Sequence, residues 1–116
     1  MFKEPGEERV LAAVLAGAEM SVMNFAEVGT VYMLRGFSVA AVRQLYAELP
    51  FTLVPVDGDL ALRAALMVNE TRRAGLSLGD RLCLALAQRT GRPALTADRS
   101  WHSVADAVGV VVETIR

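Results

Sequence analysis

The sequence predicts a single α/β domain in three layers: a parallel sheet flanked by helices. Three observations carry this. The apolar runs 51–56, 94–97 and 108–114 lack the polar alternation of a half-exposed sheet, as strands covered on both faces do. Segments of helical periodicity separate them, and strands joined through helices pair in parallel. The chain has 116 residues, 53 % of them hydrophobic, with mean hydropathy +0.36. That is one domain's length, with enough apolar material for a sizeable core.

The elements follow in order. Pro5 suits the first turn of a helix predicted over 5–16, with Val10, Leu11, Val14 and Leu15 on its buried stripe and Gly17 at its C-terminal cap. The run Met20, Ser21, Val22, Met23 reads as a strand. Asn24 then caps a second helix containing Ala26, Val28, Val31, Tyr32 and Leu34, which Gly36 ends. Ser38 caps a third, carrying Val39, Val42, Leu45 and Tyr46 to Leu49, where Pro50 stops it. The strand 51–56 belongs at the sheet edge, because Pro55 has no ladder donor. Asp59 caps a long helix over 60–73 that Gly75 terminates. Ser77 caps the helix 78–90, with Leu82, Cys83, Leu86 and Ala87 on its core stripe and Gly91 at its end. The strand 94–97 leads to Asp98 at its carboxyl end. A loop or short helix with Trp101 and His102 precedes the last strand, 108–114.

Several function classes fall away. The net charge is −1, so bulk positive charge cannot drive nucleic-acid binding. Lys3 is the only lysine among 12 basic residues; arginine suits bidentate phosphate contacts, although a composition bias explains the same fact. No charge-free apolar stretch is long enough to span a membrane. Residues 1–6 lack the basic flank and apolar core of a signal peptide, so a cytoplasmic location is expected. Cys83 alone builds neither a disulfide framework nor a cysteine zinc site and reads as a buried small hydrophobe. Trp101, Met20, Met23, Met33 and Met67 read as core filler, and His102 as a surface residue.

Ligands of open parallel sheets bind outside the carboxyl ends of the strands. Three of the 13 acids map there. Glu27 falls in the first turn of the helix after the strand ending at Met23, Asp80 in the first turn after Ser77, and Asp98 at the end of strand 94–97. Each also has a structural reading. Asn24-x-x-Glu27 and Ser77-x-x-Asp80 match capping pairs, and Asp98 suits a turn cap. The other acids have plain positions: Glu4, Glu7 and Glu8 open a helix, where its dipole favours them, while Glu48, Asp57, Asp59 and Glu70 sit on exposed turns and faces. Three carboxylates sharing an edge repel one another unless a cation neutralises them. Oxygen donors without His or Cys select Mg²⁺ or Mn²⁺. Such an ion polarises a phosphodiester and activates water for in-line attack.

The stretch Gly75-Leu76-Ser77-Leu78-Gly79-Asp80-Arg81-Leu82-Cys83-Leu84-Ala85-Leu86-Ala87, followed by Pro93-Ala94-Leu95-Thr96-Ala97-Asp98-Arg99-Ser100-Trp101, resembles the PIN-domain ribonucleases, most of all the VapC-type toxins of bacterial toxin–antitoxin pairs. Ser21-Val22-Met23-Asn24-Phe25-Ala26-Glu27-Val28 is similar to the family's second acidic motif, and Val54-Pro55-Val56-Asp57 also fits. The resemblance implies an endoribonuclease dependent on Mg²⁺ or Mn²⁺, with Glu27, Asp80 and Asp98 as its second, third and fourth acids. Thr96 matches a hydroxyl near the metal and Asn24 a polar residue facing the site. Arg81 and Arg99 adjoin the acids and either hold RNA phosphate or are solvated helix-start residues. An RNA substrate, a homodimer and a small cognate antitoxin are implied partners. The family's first strand and its aspartate have no counterpart here. A start upstream of Met1 is the expected explanation; a truncated inactive remnant and a partner strand in the gap are the others. The rival function is a binding module that engages antitoxin or RNA without cleavage. A phosphoacceptor receiver domain does not fit, because Lys3 follows no strand.

Overall fold

Among the described residues every strand is three residues long, and these strands associate in pairs. In the computed structural model, which describes residues 18–96 and 98–114, β1 (Glu19–Ser21) lies parallel to β2 (Thr52–Val54), with Glu19 opposite Thr52 and Ser21 opposite Val54. β3 (Ala94–Thr96) lies parallel to β4 (Val112–Thr114) in the same manner. Among the described residues the two pairs are separate two-stranded sheets. The α/β class and the parallel direction hold, since a helix intervenes between each strand and its partner. Among the described residues β2 pairs with β1 alone, and Pro55 falls just beyond it instead of within a strand 51–56. The predicted helix 5–16 lies outside the described residues.

Helix starts follow the capping side chains. The first described helix, α1 (Val22–Leu34), begins three residues earlier than its sequence suggests. Ser21 takes the N-cap, its side chain accepting from the Asn24 N–H at 3.1 Å. Val22 and Met23 are therefore helical, not strand. Ser38 caps α2 (Val39–Ala47) as predicted, and an edge-to-face contact of Phe25 with Tyr46, centroids 5.5 Å apart, joins the two helices. Asp57, not Asp59, caps α3 (Gly58–Leu66), accepting from the Leu60 N–H at 2.9 Å. Asp59 instead pairs with Arg63 one turn on, at 2.9 Å. The long helix expected over 60–73 breaks at Met67 into a single turn, α4 (Val68–Thr71), and a 3₁₀ turn, Arg72–Ala74.

The longest buried element is α5 (Leu78–Thr90), whose limits match the sequence reading. Gly91 ends it at φ +71°, a conformation that costs glycine nothing. A 3₁₀ turn, Arg99–Ser103, and one helical turn, α6 (Ala105–Val108), follow β3. Gly109, at φ +68°, reverses the chain after Val108, so the last strand is shorter than 108–114. One core cluster joins α3, α5 and β3–β4, with Leu60, Ala64, Leu84 and Ala85 fully buried. Met67 and Trp101 belong to it. Met23 and Met33 are exposed on α1 instead of filling the core. No helix among the described residues is long and apolar enough to cross a membrane.

Asp57 also fastens the far end of α5: Arg89 Nη1 donates to its two carboxylate oxygens at 3.0 and 2.9 Å. The Leu60 N–H above all, helped by Arg89, holds the Asp57 carboxyl below its ordinary pKa. A depressed carboxyl stabilises the fold at pH values above the ordinary carboxylate range, and that contribution disappears as pH falls through the lowered pKa. Thermal unfolding followed from neutral pH into the acid range is expected to show this loss. Asp57→Asn should be less stable at neutral pH and should shed less stability on acidification. An identical acid slope in both proteins would contradict this role.

Candidate functional site

The site is built from a serine outward. Ser21, fully buried at the end of β1, donates its hydroxyl to Asn24 Oδ1 at 2.6 Å while accepting from the Asn24 N–H. This fixes the Asn24 carboxamide, whose Nδ2 donates to the Gly79 carbonyl of α5 at 2.8 Å and lies 3.4 Å from Glu27 Oε1. Asn24 therefore does not cap its own helix with Glu27; it bridges α1 to α5. Glu27 lies in the second turn of α1 and not the first, because α1 starts at Val22.

Its carboxylate rests on Gly79. A Cβ added to that buried glycine would overlap Glu27 Oε1 and fall 2.6 Å from Cδ and 2.7 Å from Oε2. Sequence reasoning missed Gly79. The available signal was a glycine inside the first turn of a well-capped helix, where it costs about 1 kcal/mol against alanine. A bare Cα at the helix N-terminus lets an anionic group approach the positive end of the dipole.

Asp80 follows Gly79 directly. Its Oδ2 accepts from the Ser77 N–H at 2.9 Å, and Ser77 Oγ accepts from the Asp80 N–H at 3.2 Å. The capping-box reading is thus realised. Burial, with the nearby Asp80 charge adding to it, pushes the Cys83 thiol up to about 11, so Cys83 is a protonated, inert thiol at neutral pH.

Asp98 is exposed and caps the 3₁₀ turn, its Oδ1 accepting from the Ser100 N–H at 2.9 Å. The Ser100 hydroxyl and N–H beside it hold its carboxyl below the ordinary value. Of the two, the N–H has the firm geometry, since the hydroxyl makes no hydrogen bond among the described residues. Buried Thr96 accepts from the Asp98 N–H at 3.0 Å, which ties the acid to the end of β3. Arg81 directs Nη1 to the Ala64 carbonyl of α3 at 2.9 Å. Arg99 is exposed beside Asp98, and His102 meets Thr114 Oγ1 at 2.6 Å on the surface.

The structure brings Asn24, Glu27 and the Gly79–Asp80 turn together and anchors Asp98 separately on β3. Among the described residues, no three His, Cys, Asp or Glu side chains stand ready-made as a metal cage. A cleft of about 930 Å³ opens beside Asn24 and Glu27 and runs between β1 and β3, with Leu86 and Ala87 of α5 and Trp101 in its wall.

The PIN-domain sequence model matches residues 1–107. The chain belongs to the PIN-domain family. No curated protein matches it. PIN domains are generally nucleases and typically use divalent metal ions. In this PIN domain the donor chemistry fits such an ion: Glu27 and Asp80 offer hard carboxylate oxygens. Mg²⁺ asks for one or two protein carboxylates, keeping waters and substrate phosphate as its other ligands.

Gly79→Ala tests the seat of Glu27. The substitution should leave helicity intact, yet displace the Glu27 carboxylate and shift the Asn24 side-chain amide signals in NMR spectra. Unmoved Asn24 signals in a folded variant would show that Glu27 does not rest on α5.

Proposed function

We propose that this PIN domain is a Mg²⁺- or Mn²⁺-dependent endoribonuclease, the toxin of a toxin–antitoxin pair. The observation that supports it most is the Glu27 carboxylate held by Asn24 against Gly79, one residue from Asp80. Glu27 and Asp80, with Asp98, are the residues that would hold the ion. When bound, the ion supplies Lewis acidity and an activated water for phosphodiester hydrolysis.

The chain's own groups prepare for this. The α5 N-terminus offsets the repulsion of the two carboxylates set against it. Asn24 restricts Glu27 to one orientation, and Thr96 does the same for the Asp98 backbone. Arg99, exposed beside Asp98, is the guanidinium suited to phosphate, whereas Arg81 acts as a tie to α3. The partner roles rest on the resemblance to VapC-type toxins. Exposed Val31, Leu34, Phe37, Val39 and Tyr46 on α1, α2 and their connection supply apolar surface for a homodimer or an antitoxin. A cytoplasmic setting belongs to the same proposal.

The test incubates purified chain with single-stranded RNA and Mn²⁺. Cleavage should stop on chelation. Glu27→Gln, Asp80→Asn and Asp98→Asn should each lower kcat by about 10²-fold or more, with folding verified by thermal unfolding. Cleavage that survives chelation or all three substitutions would contradict the proposal. RNA binding without cleavage would assign the chain to the non-cleaving class.

A further inference from the structure

The arginines at the two ends of α5 differ in what they meet. At its C-terminal end Arg89 pairs with Asp57 and Asp59, and Arg63 pairs with Asp59. At its N-terminal end the arginines lack such partners. Arg72 and Arg73 lie in the 3₁₀ turn that leads through Gly75 to Ser77, the N-cap of α5. Arg99 opens the 3₁₀ turn that Asp98 caps. The two turns pack side by side. All three arginines are exposed. Among the described residues none of them makes an ion pair, even with Glu70 on α4 just before the first turn.

The first turn is firmly mounted. Thr71, fully buried, donates its hydroxyl to the Met67 carbonyl at 2.8 Å, and Leu76 is buried on the other side of the turn. Arg72 and Arg73 are thus held at the surface between two buried anchors. Arg81, one residue beyond Asp80, spends Nη1 on the Ala64 carbonyl, while its Nε is buried without a hydrogen-bond partner. It too makes no ion pair among the described residues. The stretches 71–81 and 98–103 hold four arginines against two acids, Asp80 and Asp98. In a chain of net charge −1 this is a local excess of positive charge. Like charges set side by side repel, and the planar fork of arginine matches the oxygens of a phosphate.

We propose that Arg72, Arg73 and Arg99 form a ledge for consecutive phosphates, which holds the backbone of single-stranded RNA where it leaves the acids. Nucleotides flanking the scissile bond would lie over the two 3₁₀ turns. The choice of RNA rests on the nuclease reading above. A strand of phosphodiesters fits better than an acidic protein segment, because the ledge adjoins the carboxylates assigned to phosphodiester hydrolysis. Contacts of this kind set position and read no sequence.

The test measures binding of a short fluorescein-labelled oligouridylate by anisotropy over a range of salt concentrations, with a chelator present. Binding is then read without an ion and without cleavage, so the ledge can stand in a chain that never cleaves and fail in one that does. For a single strand each phosphate contact contributes about 0.7 to the slope of log K against log salt. The double variant Arg72→Gln/Arg73→Gln should lower that slope by about 1.4 and weaken binding about tenfold. Arg99→Gln should lower it by about 0.7. Arg72→Lys/Arg73→Lys keeps the charge and should keep the slope. Arg43→Gln, which removes an exposed arginine of α2, should leave it unchanged. An oligothymidylate should suffer the same losses, because the ledge meets phosphates and not sugars. Four results would overturn the proposal. No binding by the unaltered chain, or slopes that survive the glutamine variants, would mean that the ledge holds no nucleic acid. An equal loss in Arg43→Gln would mean diffuse attraction to the whole surface. Losses confined to oligouridylate would mean contacts to sugar or base. Loss of a glutamate-rich peptide in the same variants, with oligouridylate still bound, would assign the ledge to a protein partner.

Discussion

The geometry of the site depends on the Asn24 carboxamide. It is held at its oxygen by the buried Ser21 hydroxyl and reaches with its nitrogen to the Gly79 carbonyl, so it fixes the starts of α1 and α5 with respect to each other. A hydrogen bond of this kind nets about 1 kcal/mol, but a donor or acceptor stranded in the interior costs about 1–3 kcal/mol. The interaction therefore specifies position more than it stabilises. Without it, nothing places Glu27 on Gly79, and the carboxylates of α1 and α5 have no reason to share a turn.

Carboxylates gathered in this way need compensation, and the fold supplies part of it. Asp80 spends one oxygen on its own helix start, and Asp98 spends one on the Ser100 N–H. Glu27 meets the positive end of α5. Each acid therefore has a structural partner and retains oxygen for another. Structural and functional readings of these residues are compatible, because capping occupies one face of a carboxylate. The thiol of Cys83, one turn from Asp80, stays protonated and out of the chemistry.

Much of this was legible in the sequence. Ser77 with Asp80, and Ser38 before Val39, announced their helices, because a hydroxyl three residues ahead of an orphan N–H has one good use. Where two capping residues stood close together, the sequence could not rank them. Ser21 and Asn24 both suit the role, as do Asp57 and Asp59, and in each case the earlier one won and freed the later side chain for a tertiary contact. That release is what made Asn24 a bridge. Met67 carries no breaker signal, so the end of α3 was invisible. Parallel pairing was readable from element order, but the separation of the described strands into two pairs was not, since order says nothing about which edges meet. Glu27, Asp80 and Asp98 were visible as residue types at strand and helix ends; their orientation, and the role of Gly79, needed coordinates.

The proposed divalent ion would be held where α1 and α5 begin. Paramagnetic broadening by Mn²⁺ in NMR spectra addresses it directly. At substoichiometric Mn²⁺, the Asn24 side-chain amide and the backbone amides of Gly79 and Asp80 should broaden first, followed by Asp98, and a chelator should restore them. Broadening spread evenly over solvent-facing acids such as Glu48 and Asp106, with the Gly79 turn unaffected, would contradict the account.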